Sequence, residues 1–289
     1  MVGTKIDGKE ISAAIKERVK KAVNELKSQG THPCLATVLV GNNPASETYV
    51  KFKHRDCEEV GILTKDHKLD ESFTQQEMNK LLAELNNDNS IHGILVQLPL
   101  PSQLNEVETI SRISPVKDVD GLTPHNAGLL SMGMAALVPC TPSGIIEMLD
   151  YYEIKLDGKH VVVINRSNLV GRPLYHLLLA RNATVTTCHS KTKDLQSFCK
   201  QADVIITAVG NRERFTLTQE MIKEGAVVID VATSRKDGKL VGDANFDDII
   251  QKASFASPVP GGVGLMTRAM LLKNTITAAS LINQLANKS

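Results

Sequence analysis

The chain has 289 residues, no tryptophan, four tyrosines and six phenylalanines. Its core must therefore come from Val, Ile, Leu, Ala and Met, a composition that suits strands covered on both faces by helices. An excess of one charge is also lacking, since 33 Lys and Arg stand against 32 Asp and Glu for a formal net charge of +1. That balance argues against a nucleic-acid or membrane partner, which a basic patch would serve. The five cysteines, Cys34, Cys57, Cys140, Cys188 and Cys199, are odd in number and contain no CxxC pair. Neither a disulfide framework nor a metal site is encoded, and small buried or half-buried thiols are expected. No apolar run approaches the ~20 residues of a membrane span. The opening MVGTKIDGKE is not a signal peptide. The cytosol is the expected compartment.

What is present is an alternation of helix and strand. Residues 10–29 carry apolar positions at helical spacing and stop before Gly30. A β-branched run at 33–41 reads as a strand. Residues 44–60 read as a helix with Pro44 in the first turn and Gly61 past the end. Thr74 and Glu77 form a capping-box pattern for a helix running to about Leu85, and 92–101 is a buried strand that Pro99 must end. Residues 114–133 show little period. After that come a helix at 143–152 and strands at 160–165, 183–189, 203–210 and 226–231. Helices are expected between those strands, from Pro173, over DLQSFCKQA and over LTQEMIKEG. This series predicts an α/β fold whose C-terminal part is a Rossmann-like, doubly wound parallel sheet. A Gly-rich loop, SPVPGGVGLMT, then precedes a long last helix. The predicted domains are 1–143, completed by the helix 270–289, and 144–269, with a cleft between them.

In a parallel sheet, ligands bind beyond the carboxyl ends of the strands. The strand at 160–165 ends in Asn165-Arg166-Ser167-Asn168-Leu169-Val170-Gly171-Arg172-Pro173. This is not GxGxxG, yet it supplies a tight turn, a small Ser167 and a Gly171 where a helix begins. Free amides at that helix N-terminus can receive a pyrophosphate. Asn165 tolerates a left-handed backbone, so the turn can form without glycine. The next strand ends Cys188-His189-Ser190-Lys191-Thr192, with no carboxylate before Asp194 where an NAD site usually has an acid. A cation and hydroxyls there suit a 2′-phosphate and favour NADP. The alternative is that Arg166 and Lys191 are ordinary surface charges. Ala208-Val209-Gly210 closes the third strand with small residues that admit a cofactor.

Tyr49 and Lys53 are spaced i, i+4 and share one helix face, while Lys51 and His54 lie off it and are expected in solvent. Taken alone, Lys53 is more readily an ordinary surface charge. Gln97 ends a buried strand, and Asp118 and Asp120 lie in the irregular KDVDG segment, the kind of loop that carries function. These side chains suit a planar, nitrogen-rich substrate, though spacing alone does not bring them together.

Seven segments in order then carry a resemblance: YVKFK (49–53), GILVQLPLP (93–101), PVKDVDG (115–121), PCTPSG (139–144), NRSNLVGRP (165–173), CHSKT (188–192) and PGGVGLMT (260–267). Together the chain resembles the bifunctional methylenetetrahydrofolate dehydrogenase/methenyltetrahydrofolate cyclohydrolase family over nearly its whole length. The resemblance implies NADP-linked oxidation of methylenetetrahydrofolate, then hydrolysis of the methenyl cation to 10-formyltetrahydrofolate. It also implies tetrahydrofolate derivatives as partners, a role in one-carbon supply and purine biosynthesis, and a homodimer. It implies that Tyr49 stacks on the folate and that Lys53, held by Gln97, assists attack of water. Asp120 would grip the pterin, with Leu98, Pro260, Gly261, Gly262 and Val263 bordering the substrate. Asn165, Arg166, Ser167, Val170, Gly171, Pro173, His189 and Ser190 would hold the dinucleotide. Thr141, Ala208, Val209, Gly210, Val231, Ala232 and Thr233 would lie near it.

The chain departs from the family pattern in three places: Asn165 for Gly, Leu265 for Pro, and Ala232-Thr233-Ser234 for Gly-Ile-Asn. Two of them lie around the cofactor, so a cyclohydrolase with weak or NAD-linked dehydrogenase activity is the alternative within the family. A shikimate-type or amino-acid dehydrogenase shares the general plan but gives no task to Tyr49, Lys53, QLPLP and KDVDG. A dinucleotide-binding regulator would bind NADP without turnover.

Overall fold

A computed structural model of the chain describes residues 2–236 and 238–286. Its first half contains β1 (Thr4–Lys5), α1 (Gly8–Ser28), β2 (Cys34–Val40), α2 (Pro44–Val60), β3 (Leu63–Leu69), α3 (Gln75–Asn87), β4 (Gly93–Val96), α4 (Glu106–Ser111) and α5 (Pro124–Ser131). The second half continues with α6 (Cys140–Tyr151), β5 (His160–Ile164), α7 (Gly171–Leu179), β6 (Thr184–Cys188), α8 (Leu195–Gln201), β7 (Val204–Thr207) and β8 (Val227–Asp230). It closes with β9 (Ser234–Lys236), β10 (Lys239–Val241), α9 (Phe246–Ile249), β11 (Phe255–Ala256) and α10 (Val263–Ala286). Two compact units result. One comprises Met1–Ala13 and Thr141–Thr267, the other Ala14–Cys140 and Arg268–Ser289.

The first unit carries a six-stranded parallel sheet in the order β1-β11-β8-β7-β5-β6. Val162, Ile164, Ile205, Val228, Leu217 and Ile249 are among the side chains of one core of this unit. Strands buried on both faces need no alternation, which is why HVVVI and VVID read as continuous apolar runs. The second unit has a three-stranded parallel sheet, β3-β2-β4. Every residue of its central strand β2 is buried, and Met78, Leu82 and Leu85 of α3 pack in the same core as Ala36, Val38 and Val40.

The predicted helix signals hold where local chemistry sets them. Asn43 caps α2 by accepting from the amides of Ala45 and Ser46, and Gly61 closes it at φ 82°. Thr74 and Glu77 form the reciprocal capping box of α3.

Other expectations are corrected by long-range pairing. Thr4 and Lys5 pair with Phe255 and Ala256, so β1 joins the six-stranded sheet of the unit that holds 141–267 and not the sheet built on β2. LTQEMIKEG forms only a 3-10 turn at Gln219–Met221, because Leu217 and Gln219 are drawn to Asp243 and Asp248 by their amides. The last helix starts at Val263, inside the predicted loop. Residues 287–289, assigned by the sequence to that helix, lie outside the described residues. No helix among the described residues is long and apolar enough to cross a membrane.

Candidate active site

In the second unit, α2 presents Tyr49 and Lys53 one turn apart; Tyr49 is 46% exposed and Lys53 is half-buried. The Lys53 ammonium donates to Gln97 Oε1 at 3.0 Å. Gln97 follows β4 directly, with its amide nitrogen bonded to Val38 O, and its side-chain Nε2 donates to Leu98 O at 2.7 Å. That second bond fixes which end of the Gln97 amide faces the lysine.

Asp120 is delivered by a rigid loop. Lys117 is buried, and its ammonium donates to the carbonyls of Leu85, Asn86 and Asp88 at the end of α3. Such a cation satisfies carbonyls that a helix C-terminus leaves open. Asp118 is also buried and accepts from the Leu122 and Thr123 amides and from Asn126 Nδ2. It therefore braces the loop and does not face a ligand. Gly121 has φ +67°, and a Cβ there would meet Pro139 N at 2.7 Å, so the turn after Asp120 requires glycine. Burial raises the pKa of the Asp120 carboxyl against the attraction of Lys53, which places the two groups within electrostatic reach. Lys53 and Gln97 are thus brought together, with Asp120 in electrostatic reach of the lysine and Tyr49 on the same helix face.

Two features of this unit escaped the sequence reading. His54 is not in free solvent: its Nε2 lies 2.7 Å from Asp66 Oδ1 on β3, because α2 packs beside that edge strand. Asp56 is buried, with Lys16 Nζ at 2.7 Å and Arg268 Nε at 3.1 Å. The Arg268 guanidinium also lies 5.1 Å from the centre of the Phe52 ring. These contacts fix α2 against α1 and α10. The two basic residues lie 40 positions before and 212 positions after Asp56, so no local pattern links them.

In the first unit, the loops after β5, β6, β7 and β8 carry the predicted cofactor residues at the carboxyl ends of parallel strands. Arg166 and Ser190 are exposed, as are Val209, Gly210 and Thr233. Gly210 has φ +69°, and a Cβ placed on it would have nothing within 4 Å, so the backbone there is open to a ligand. His189 closes its loop by exchanging bonds with Thr192 and by accepting the Lys191 amide at Nδ1. Asp194, the first carboxylate after β6, caps α8 by accepting from the Ser197 amide. It is therefore engaged and leaves Arg166 and Ser190 facing solvent, an arrangement that fits a 2′-phosphorylated dinucleotide.

The turn after β5 differs from expectation in its backbone and its bonding. Asn165 does not adopt a left-handed backbone, since its φ is not positive. Its Oδ1 instead accepts from Ser167 N, Ser167 Oγ and Gly171 N at 2.7, 2.8 and 3.0 Å. Helix α7 starts at Gly171, two residues before Pro173, and its first amides are already taken: Gly171 by Asn165 Oδ1 and Arg172 by Ser167 O. The Val170 amide is bonded to Ser167 Oγ. This helix end consequently offers no set of free amides to a pyrophosphate. Gly171 is required, since a Cβ there would overlap Asn165 O.

The loops after β7 and β8 rest on two buried carboxylates that the sequence did not single out. Asp243 accepts from Thr207 Oγ1, Val209 N and Gly210 N. Asp230 accepts from Ala232 N and Ala244 N, and Gly242 leaves room for it, as a Cβ there would overlap Asp230 Oδ2. Val231 is held by Thr207 O, and Ala232 is buried. Further along, Pro260 is exposed, Val263 is buried at the start of α10, and the Gly8 amide donates to Gly261 O at 3.0 Å. A Cβ on Gly262 would meet Pro258 O at 2.6 Å, so this loop too requires glycine. Thr141 and Thr267 share a hydroxyl hydrogen bond of 2.9 Å.

Burial is the main cause that raises the Asp230 pKa from 3.8 to about 6, with the charge of Asp243 adding to it. A carboxyl with a raised folded-state pKa stabilises the fold below its unfolded pKa and loses that contribution as pH rises through the folded value. Between about pH 4 and pH 6 the wild type should therefore lose roughly 3 kcal/mol from this group, at about 1.4 kcal/mol per pKa unit. The stability of Asp230→Asn relative to wild type is expected to rise across this window in denaturant titrations. A constant difference would show that Asp230 keeps an ordinary pKa.

Comparison with known proteins bears on both units. Residues 6–120 match the family model described as tetrahydrofolate dehydrogenase/cyclohydrolase, catalytic domain, and residues 139–283 match the corresponding NAD(P)-binding domain. The bifunctional protein FolD of Nitrosopumilus maritimus is 73% identical over 285 residues, covering 99% of each chain. The crystal structure of the bifunctional enzyme FolD, methylenetetrahydrofolate dehydrogenase/cyclohydrolase, from Campylobacter jejuni superimposes with a TM-score of 0.93 at 48% identity, covering 96% of this chain and 99% of that one. The Trypanosoma brucei methylenetetrahydrofolate dehydrogenase-cyclohydrolase, solved with NADP cofactor and inhibitor, gives a TM-score of 0.91 at 36% identity, covering 96% of this chain and 98% of that one. With both family models matched in order and a relative identical at nearly three-quarters of its positions, the chain belongs to the tetrahydrofolate dehydrogenase/cyclohydrolase family.

Proposed function

We propose that the chain works as a bifunctional enzyme of one-carbon metabolism. It oxidises methylenetetrahydrofolate to methenyltetrahydrofolate with NADP and hydrolyses the product to 10-formyltetrahydrofolate. The observation that carries this reading is the Lys53–Gln97 hydrogen bond of 3.0 Å with Asp120 in electrostatic reach, in a chain matched along its length by bifunctional relatives.

In the hydrolysis, Lys53 assists the attack of water on the methenyl carbon. In its unprotonated form Lys53 Nζ, held in place by Gln97 Oε1, serves as the base. It can then take one proton from the attacking water and return it to the ring nitrogen that leaves, while the second proton of that water passes to solvent as the formyl carbonyl forms. Gln97 Oε1 orients the Lys53 Nζ, and Asp120 accepts hydrogen bonds from the pterin amide and amino groups. Tyr49 stacks on the folate ring, and Leu98 and the 260–263 loop border the substrate. NADP, when bound, supplies the acceptor for the electrons removed from the methylene carbon. The oxidation asks the protein mainly for positioning, since folate nitrogens stabilise the resulting cation. Arg166 and Ser190 hold the 2′-phosphate. Ser167, His189 and the 208–210 and 231–233 loops line the rest of the dinucleotide.

The test is a spectrophotometric assay of purified protein with methylenetetrahydrofolate and NADP or NAD, following methenyl decay in the same samples. Turnover with NADP together with hydrolysis supports the reading. Hydrolysis with weak or NAD-linked oxidation would return the alternative within the family, and the absence of both activities would overturn the reading.

The same reading includes a cytoplasmic homodimer that feeds purine biosynthesis. Strand β6 is the outer strand of the six-stranded sheet, and beside it α7 exposes Tyr175 and Leu179 one turn apart, at 37% and 52%. An unpaired edge flanked by exposed apolar side chains is suited to a self-complementary contact. Leu179→Glu is expected to convert the dimer to monomers in light scattering, and an unchanged mass would move the interface elsewhere.

A further inference from the structure

Asn165 does more than replace the glycine usual at the start of the dinucleotide turn. Its Oδ1 gathers three donors from the turn 165–171, and its Nδ2 donates to Ala208 O at 2.6 Å in the loop after β7. One side chain thereby ties together two of the loops assigned to the cofactor. The Ala208 loop is in turn held by Asp243 through the amides of Val209 and Gly210. A glycine at 165 would leave Ser167 N, Gly171 N and Ala208 O without these partners, to be satisfied by water or by reordering of the turn.

We propose that Asn165 is a positioning residue for the dinucleotide: by bonding both the 165–171 turn and Ala208, it holds Arg166 and Ser167 in their binding arrangement before the cofactor arrives. The inference rests on the reading of this face as the NADP site. Ordering two loops in advance removes a conformational cost from binding, so affinity should gain more than turnover. Its chemistry also differs from that of a helix-end phosphate site, since the first α7 amides are taken by Asn165 Oδ1 and Ser167 O.

The test compares full-length wild type with Asn165→Gly and Asn165→Asp. NADP affinity is measured by calorimetry without folate, and amide hydrogen exchange is followed over residues 165–172 with and without NADP. Wild type that fails to bind NADP would sink the functional reading itself. If it binds, Asn165→Gly should bind at least tenfold more weakly, with KM for NADP rising and kcat changing less than threefold. Exchange of the Ser167 and Gly171 amides should be fast in the free glycine variant and slow once NADP is added, whereas wild type should be slow in both states. Asn165→Asp keeps the accepting oxygen and should keep slow exchange, which separates ordering of the turn from loss of fold. Equal affinity in wild type and Asn165→Gly would overturn the proposal, as would fast exchange in Asn165→Asp or equal slow exchange in all three proteins.

Discussion

Lys53→Met is expected to abolish methenyl hydrolysis while folate still binds. Proton transfer by a positioned side chain contributes about 10²–10⁴-fold to a reaction rate, and Lys53 Nζ is the amine that Gln97 Oε1 holds at 3.0 Å. Its neighbour Lys51 is exposed on another face of α2, so it is not placed to substitute. Methionine is an unbranched residue of similar length and helix propensity, and α2 keeps its Asn43 cap, its Gly61 terminus and the buried Asp56 contacts. The variant should therefore fold. Tyr49 and Asp120, the proposed substrate contacts, are untouched, so a folate analogue should retain measurable affinity by calorimetry. Hydrolysis is read as the decay of methenyl absorbance. A variant that hydrolyses within tenfold of wild type would remove Lys53 from the proton-transfer role and shift attention to Asp120.

Arg166→Ala should weaken NADP far more than NAD. A charge-assisted hydrogen bond to phosphate is worth about 1.5–3 kcal/mol, which corresponds to roughly 10- to 150-fold in affinity. Arg166 is exposed at the carboxyl end of β5, and the first acid after β6, Asp194, is occupied as the cap of α8. Without the arginine, Ser190 and the exposed Lys191 are left for the 2′-phosphate, and nothing at the end of β6 has been gained for a free ribose hydroxyl. NADP affinity should thus fall by one to two orders of magnitude, with NAD affinity unchanged within about twofold. Titration of the purified variant with each dinucleotide reads both numbers. Equal loss with both would mean that Arg166 acts on a part the two cofactors share, such as the pyrophosphate.

Both substitutions address residues that the sequence singles out, and the structure shows why these were legible. Tyr49 and Lys53 are a local pair on one helix, bounded by Pro44 and Gly61, and helical spacing fixes their common face. The ends of parallel strands at Ile164, Cys188, Thr207 and Asp230 follow from apolar runs that break at small or polar residues. The supporting residues were not legible in the same way. Asp56, Asp230 and Asp243 are carboxylates that a sequence assigns to solvent by default. Each is buried because partners distant along the chain help satisfy it: Lys16 and Arg268 for Asp56, the Ala244 amide for Asp230, and the Val209 and Gly210 amides for Asp243. Short strands such as β1 and β11, two residues each, carry no periodicity of their own and exist through pairing. β3 reads as polar because only its backbone is needed at the edge of the sheet.

Asn165 shows the division most clearly. The sequence by itself determined that a polar residue stands at the dinucleotide turn, that Gly171 follows it and that a helix begins there. It also determined the α/β plan, the family and the residues in ordered motifs, since each depends on local spacing or on segments that recur in order. Only the tertiary structure decided how the turn is made. Asn165 keeps an ordinary backbone and commits its side-chain amide to Ser167, Gly171 and Ala208, the last a carbonyl 43 residues away that β5–β7 pairing brings alongside. Hydrogen bonds between distant segments are set by which strands lie side by side, and a sequence read locally contains no distance between them.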